Sequence, residues 1–111
     1  MATQILSRLS FVGAIRPGNT IEARWIAGHP MESGFRVDDS GNRVPRNIVT
    51  QVRVLLNGRL ILDMEPGTGL TANPYLAFAL TVPPEGGTVA VEWLDDTGNR
   101  GRAQQLLLLE T

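Results

Sequence analysis

The sequence contains no cysteine and no lysine, and its only histidine is His29. Without cysteine, the chain cannot form a disulfide, bind zinc through thiolates or use a thiol nucleophile. Without lysine, it has neither a Schiff-base amine nor a phosphate-loop lysine, which excludes two large classes of enzyme. Because there is only one histidine, the chain cannot form a two-histidine metal site, and because there is no cysteine, it cannot form a Cys-His pair. These absences indicate a protein that has no catalytic apparatus of its own.

The chain also has little net charge and no long apolar run. Its formal net charge of −1 gives no reason to expect nucleic acid or an anionic membrane as a partner. No apolar run approaches the roughly 20 residues of a membrane span. Residues 11–15 are too short for the hydrophobic region of a secretory signal peptide. Taken alone, this indicates a cytoplasmic protein, although a chain can also be exported with a partner that carries the signal.

Two acidic turns and one glycine-rich segment are candidate ligand sites. Residues 38–42 and 95–99 resemble each other, but neither has the alternating carboxylates or the distal glutamate of a calcium loop. Residues 67–69 lack the third glycine and the following helix of a phosphate cradle. We therefore expect no cofactor and no metal site.

Apolar and polar residues alternate along several segments of what is predicted to be one domain, residues 1–111. Hydrophobic residues make up 42% of the chain and charged residues 19%, as in ordinary globular proteins. An apolar residue at every second position indicates a half-buried strand. The predicted inward residues are Ile21, Ala23, Trp25, Leu76, Phe78, Leu80, Val82, Val89, Val91 and Trp93.

Turn signals separate these segments. Asn57-Gly58 between the apolar runs 48–56 and 59–64 is the strongest hairpin signal, since both residues tolerate positive φ. With a first strand near residues 5–11 and a last one at 103–109, the count reaches about seven strands. This pattern predicts an all-β fold, an immunoglobulin-like antiparallel β-sandwich, with a barrel as the alternative. Other turns are predicted at residues 16–19, 38–42, 66–69, 83–87 and 95–99, with a loop-like stretch over 28–46.

Three stretches are apolar on both faces: residues 54–56, 60–62 and 106–109. Because successive side chains on a strand point to opposite sides, half of these leucines cannot face an internal core. Exposed together, they would form an association surface or an aggregation hazard. We expect Leu107 and Leu109 to point outward and to bind a partner, with the opposite register as the alternative. Coverage by loops, or a helix in one of these stretches, would remove the patch.

Five motifs in order resemble the SoxZ family, the small subunit of the SoxYZ sulfur-carrier complex of bacterial thiosulfate oxidation. The resemblance extends from about residue 16 to residue 98, most of the chain. The motifs are residues 29–36 (HPMESGFR), 44–49 (VPRNIV), 57–58 (NG), 72–76 (ANPYL) and 92–98 (EWLDDTG).

This resemblance implies a non-catalytic, immunoglobulin-like subunit that forms a heterodimer with a SoxY-like subunit. The partner carries sulfur intermediates on a single cysteine in a glycine-rich C-terminal arm, and other Sox enzymes load, oxidise and release them. The resemblance also implies a periplasmic location, with export in complex with the partner. The absence of cysteine and the surplus of apolar strand surface agree with it independently.

Six residues of the long loop are predicted to shape a surface near the partner or near docking enzymes. Recognition residues are often found in polar loops on a rigid scaffold. The alternative is that these residues only hold an irregular loop in place. They are His29, Met31, Phe35, Arg36, Arg46 and Asn47.

Two other functions remain open from the sequence. A free-standing immunoglobulin-like ligand-binding module would be a stable monomer that needs no partner. A copper-handling protein would use His29 and Met31, with Met64 as a third ligand, and would bind metal stoichiometrically.

Overall fold

Seven β-strands form the part of the protein that its structure, a computed structural model, describes: residues 6–66 and 72–110. The predicted break at 66–69 therefore lies, from Gly67 onward, outside the described residues, as does the glycine-rich segment 67–69. Across the described ranges there is no helix of the length and apolarity needed to cross a membrane. The strands are β1 (Ser7–Val12), β2 (Thr20–Ala27), β3 (Val49–Leu56), β4 (Arg59–Met64), β5 (Tyr75–Thr81), β6 (Gly87–Asp95) and β7 (Arg100–Leu107).

The strands form two antiparallel sheets. One sheet has three strands in the order β1-β2-β5, and the other has four in the order β4-β3-β6-β7. Every neighbouring pair is antiparallel. The predicted antiparallel sandwich of seven strands is thereby confirmed, and the barrel alternative does not apply to the described strands.

The core lies between the inner faces of the two sheets, where the predicted alternation places it. Trp25 on β2 and Trp93 on β6 are both buried, so each sheet supplies one tryptophan. Their neighbours at every second position are buried as well, whereas Arg24 and Ile26 on β2 are exposed. The remaining predicted inward residues are buried or partly buried: Ile21, Ala23, Leu76, Phe78, Leu80, Val82, Val89 and Val91.

The β3–β4 hairpin turns at the predicted residues. Asn57 and Gly58 have φ values of 52° and 80°, the left-handed conformation that a two-residue hairpin turn requires. The Asn57 side chain also connects this hairpin to the turn between β5 and β6. Its Nδ2 donates to the Gly86 carbonyl (3.1 Å), and its Oδ1 accepts from the Thr88 N–H (2.8 Å). Two turns are thus joined into one end of the four-stranded sheet, which we call the turn end.

The C-terminal strand has the opposite register from the one expected. Leu107 is only 3% exposed and faces the core, whereas Leu106 is 54% exposed. The cause is the pairing with β6: Gly101 and Ala103 oppose the inward residues Trp93 and Val91, so Leu107, an even number of positions further on, also points inward. The assignment of Leu107 as an outward, partner-binding residue is therefore wrong.

Gly101 is required by the packing of Trp93. The two residues oppose each other across β6 and β7, and the indole ring of Trp93 lies over the glycine. A Cβ atom placed on Gly101 would overlap the indole ring, well inside van der Waals contact. Since Trp93 is buried among core residues, the ring has little room to move away.

We therefore expect Gly101→Ala to destabilise the protein by about 1–3 kcal/mol through overpacking. Gly28→Ala is the matched control, because its Cβ would meet only the Leu6 carbonyl oxygen at 3.8 Å. Urea unfolding of the two variants and the wild type would measure the difference. Equal stability of the two variants would show that Trp93 can readily reposition.

Candidate partner-docking face

The outer face of the four-stranded sheet carries several apolar side chains that lie outside the core. Leu60 on β4 opposes Leu55 on β3, which in turn opposes Ala90 on β6. Leu106 lies diagonally from Ala90, on β7. We call these four residues the apolar row. Leu60 is 49% exposed and Leu106 is 54% exposed, so the row presents a hydrophobic surface to solvent.

This arrangement confirms that the surplus leucines are divided between two faces. Leu56, Leu62 and Leu107 contribute to the core, while Leu55, Leu60 and Leu106 lie on the outer face. The β-bulge between Val54 and Leu55 shifts the β3–β4 register and brings Leu60 opposite Leu55. Residues from three separate stretches of sequence thus meet in one patch, as expected of an association surface.

A row of alternating charges runs parallel to the apolar row on the same face. It crosses the sheet in the order Asp63 (β4), Arg53 (β3), Glu92 (β6) and Arg102 (β7). Arg53 Nε lies 3.7 Å from Asp63 Oδ2, and Arg102 Nη1 lies 2.8 Å from Glu92 Oε1. We call this row the charge ladder. The sequence alone did not reveal it, because the four residues become neighbours only through strand pairing.

Leu109, the other predicted outward leucine, lies beyond the end of β7. It remains partly exposed and lies beside Gly86 at the turn end. The backbone N–H of Glu110 donates to the Ile15 carbonyl (2.8 Å), which directs the chain toward the β1 side of the sandwich. Leu109 therefore lies at the turn end without belonging to a paired strand.

His29 is fully buried, contrary to the expectation that it would shape a surface. Its Nδ1 accepts the backbone N–H of Met31 (2.9 Å), so in the neutral ring the proton lies on Nε2, which donates to Asp95 Oδ2 (2.9 Å). The ring also packs edge-on against Trp93, with 5.9 Å between the ring centroids. Because both nitrogens are engaged inside the protein and the ring is buried, His29 anchors the loop and is not part of the surface.

Asp95 is the buried partner of His29 that the sequence analysis did not identify, since its segment was interpreted as a turn and as part of a family motif. Its carboxylate accepts five hydrogen bonds: one from His29, two from Thr97 and two from Asn99. Burial acts to raise the pKa of Asp95, but the hydrogen bonds from His29, Thr97 and Asn99 outweigh it and hold that pKa below its usual value. The carboxylate therefore stays ionised and joins the long loop to the β6–β7 turn.

Met31 is buried too, so its predicted place on a recognition surface is also wrong. Its backbone has a φ of 50°, and its sulfur accepts the backbone N–H of Val49 (3.3 Å). From within the core, the Met31 sulfur thus provides a hydrogen-bond acceptor for the backbone N–H of Val49, the first residue of β3.

The hydrogen bonds of His29 and Met31 engage the ligand atoms that these residues would offer to the copper site considered above. Among the described residues, no group of three His, Cys, Asp or Glu side chains could hold a metal ion.

The other four loop candidates do lie at the surface. Phe35 is 78% exposed, the largest exposed fraction among the large apolar side chains that the structure describes. Arg36 bonds Glu32 (2.7 Å), which lowers the pKa of Glu32, and Arg46 bonds Asp96 (2.8 Å). Backbone bonds between Glu32 and Asn47, 2.7 Å in each direction, fix the loop that displays these side chains.

We call the end of the four-stranded sheet that carries the long loop the loop end, and it lies opposite the turn end. Val49 and Asp95 pair where the long loop meets the sheet, whereas Leu56 and Val89 pair at the turn end. The nine residues of β6 separate the two ends by about 25 Å, at the usual rise per residue of a strand. The predicted site residues are therefore not one cluster but two surfaces at the ends of one sheet.

Asp95→Asn tests the buried network. We expect this variant to lose about 1–3 kcal/mol at neutral pH, because its amide would place a donor against the His29 Nε2–H. The folded-state pKa of Asp95 is depressed, so its stabilisation is complete above the unfolded-state pKa of about 3.9 and is lost as the pH falls through the folded-state value.

Urea unfolding at several pH values from 7 down to acid would measure this effect. The stability gap between wild type and Asp95→Asn should narrow below about pH 4, where the unfolded-state carboxyl is protonated. Asp39→Asn, at an exposed turn position, is the control and should show little change at any pH. A gap independent of pH would contradict the assignment of an ionised Asp95.

Solved structures with a similar fold include proteins from three organisms. A superoxide reductase (neelaredoxin) from Ignicoccus hospitalis has a TM-score of 0.66 and 12% identity, over 94% of this chain and 80% of that chain. A putative superoxide reductase from Thermotoga maritima has a TM-score of 0.64 and 10% identity, over 93% and 84%. A hypothetical protein from Pyrococcus horikoshii has a TM-score of 0.58 and 10% identity, over 93% and 86%. At such identities, these likenesses show the fold alone.

The family comparison covers nearly the whole described sandwich. No curated protein matches the chain significantly. The sequence model of the family described as "Sulphur oxidation protein SoxZ", however, matches residues 10–105, from β1 into β7. The match covers all five motifs, the loop end and the outer face of the four-stranded sheet up to residue 105, one residue before Leu106. The chain therefore belongs to the SoxZ family and has a role in the Sox system of sulfur oxidation.

Proposed function

We propose that this chain is the non-catalytic subunit of a SoxYZ-type carrier complex. It supports a SoxY-like partner and presents the sulfur intermediates that the partner carries on the cysteine of its C-terminal arm. Membership of the SoxZ family implies a SoxY partner in the Sox system. The observation that carries the proposal is the apolar row, which leaves Leu60 and Leu106 about half exposed beside a row of charged side chains.

The outer face of the four-stranded sheet is the surface that we assign to the partner. Stable protein interfaces have an apolar centre and a polar rim, and the apolar row beside the charge ladder offers both. Burying Leu60 and Leu106 against a partner would remove apolar area from water, at about 25 cal/mol per Å². The inner face of the same sheet is already filled by the core.

The loop end is the surface that we assign to transient contacts with the Sox enzymes that load, oxidise and release sulfur. Phe35 is displayed there on a loop held by backbone hydrogen bonds, with Arg36 and Arg46 beside it. Aromatic and arginine side chains are enriched among residues that dominate binding energy. The distance between the two ends allows an enzyme to dock while the partner remains bound.

The sulfur chemistry itself belongs to the partner. Covalent sulfur carriage requires a thiolate, and this chain has no cysteine. We also propose that the complex works in the periplasm, where the partner's signal peptide takes the folded pair. This localisation follows from the family resemblance, because the residues of this chain do not specify a compartment.

Substitution of neighbouring leucines distinguishes the docking face from the core. Leu106→Asp should weaken partner binding by at least about tenfold while the domain stays folded, because an interface charge must be desolvated. Leu107→Asp should instead destabilise the domain by several kcal/mol, because the charge would be buried in the core. Pull-down with a co-expressed SoxY-like subunit and thermal melting would measure the two effects.

Ile26→Asp provides the control for Leu106→Asp. Ile26 is similarly exposed, but it lies on the outer face of the three-stranded sheet. We expect it to leave partner binding unchanged. If Ile26→Asp weakens binding and Leu106→Asp does not, the partner docks on the other sheet.

Intact-mass measurement tests the division of roles. After incubation of the complex with thiosulfate and the loading enzymes, added sulfur should appear on the SoxY-like subunit and not on this chain. The reason is that only the partner supplies a thiolate. A stoichiometric sulfur adduct on this polypeptide would overturn the proposed role, whereas an adduct on neither chain would mean that the complex is not a sulfur carrier.

A further inference from the structure

The charge ladder is antisymmetric about its own centre. Its signs across the sheet are minus, plus, minus and plus, from Asp63 through Arg53 and Glu92 to Arg102. The centre falls between Arg53 and Glu92. A two-fold axis that runs along the strands through this point exchanges the two central residues, and it also exchanges the two outer ones.

Face-to-face packing of two copies about this axis therefore places opposite charges together. Arg53 of each copy faces Glu92 of the other, and Asp63 of each copy faces Arg102 of the other. Packed sheets lie about 10 Å apart, a gap that arginine and carboxylate side chains can span together. Aligned sheets cross at an angle of about 30°, which shifts facing residues apart by a distance that grows away from the axis. Arg53 and Glu92 lie next to the axis, so their contact is shifted least.

The ladder side chains remain free enough to reach across such a gap. The side chains of Asp63 and Glu92 are 42% and 43% exposed, and those of Arg53 and Arg102 are 51% and 54% exposed. Each charge can thus keep its neighbour in the sheet and gain an opposite charge from the facing copy. This alternation of charges, within each sheet and between the two copies, adds attractive contacts without removing the existing ion pairs.

The two central residues of the apolar row, Leu55 and Ala90, fit the same axis. The two-fold rotation that sets Arg53 opposite Glu92 also sets Leu55 of one copy opposite Ala90 of the other. The reason is that Leu55 and Ala90 form the next outward-facing pair on the same two strands, β3 and β6. Ala90 is short and buried between its neighbours, so a large side chain meets a small one. Leu60 comes to face Gln104, a polar partner, which leaves the apolar contact incomplete.

We propose that, without its partner, the chain forms an isologous dimer with a second copy through the outer face of the four-stranded sheet. Closed two-fold pairs require a self-complementary surface, and the antisymmetric ladder supplies one. Because Leu60 faces a polar residue in this dimer, we expect a partner that covers this leucine with apolar surface to bind the face more tightly. The SoxY-like partner therefore displaces the second copy from the shared face. The self-association stands on the charge pattern alone, and only the displacement rests on the proposed function.

Reversing one charge at a time tests this geometry. Arg53→Glu places like charges opposite each other at both central contacts, and Glu92→Arg does the same with positive charges. Each variant alone should dimerise at least about tenfold more weakly than wild type, because like charges juxtaposed across an interface are costly. Sedimentation velocity over a range of concentrations would measure this, with circular dichroism to verify that each variant is folded.

An equal mixture of the two variants gives the sharper result. In a mixed dimer, the carboxylate introduced at position 53 of one copy faces the guanidinium introduced at position 92 of the other. The unchanged Glu92 of the first copy faces the unchanged Arg53 of the second, so both central contacts across the axis are attractive again. We expect the mixture to form a mixed dimer of about wild-type strength. If the ladder only stabilised the single chain, mixing would restore nothing.

Arg24→Glu is the matched control, because it breaks an in-plane ion pair with Glu22 (2.7 Å) on the other sheet. It should leave dimerisation unchanged. A monomeric wild type at the highest soluble concentration, or a mixture that stays monomeric, would overturn the inference and leave the proposed function standing. A partner that binds the intact dimer without dissociating it would instead show that the partner docks elsewhere.

Discussion

Side chains on a β-strand alternate between two faces, and this constraint determines the whole of the four-stranded sheet. Its inner face must be apolar, because it covers the core through Val89, Val91 and Trp93 on β6. The outer face then receives every intervening residue. On this sheet, those residues include an apolar row and a charge ladder, and such a combination is typical of a surface that another protein covers. The core and the proposed docking face thus use alternate residues of the same strands.

The separation of the two ends of the sheet suits the proposed role, in which the chain holds one partner and meets other enzymes transiently. At the turn end, Asn57 joins two turns beside the apolar row. At the loop end, Asp95 joins the long loop to the β6–β7 turn through His29. Both devices are side-chain hydrogen bonds between segments far apart in sequence. They keep the surfaces rigid, which lowers the entropy lost on binding.

The side chains best suited to chemistry are used for structure. Both nitrogens of His29 are engaged in hydrogen bonds, the Asp95 carboxylate accepts five, and the Met31 sulfur accepts one from the start of β3. A nucleophile or a metal ligand needs an available lone pair, and these atoms are already engaged by donors within the protein. This is consistent with the proposed role, in which the sulfur chemistry is carried out by the partner and not by this chain.

The sequence by itself determined the strands, the Asn57-Gly58 hairpin, the inward residues of β2 and β6, and the existence of surplus apolar surface. Each depends on local alternation or on the φ preference of one or two residues. Only the tertiary structure decided that Leu107 points inward, that His29 is buried against Asp95, and that Asp63, Arg53, Glu92 and Arg102 form a row. An alternation with a period of two divides the residues of a strand between two faces, but it does not show which face is buried. The buried face depends on the register in which strands far apart in sequence pair with each other.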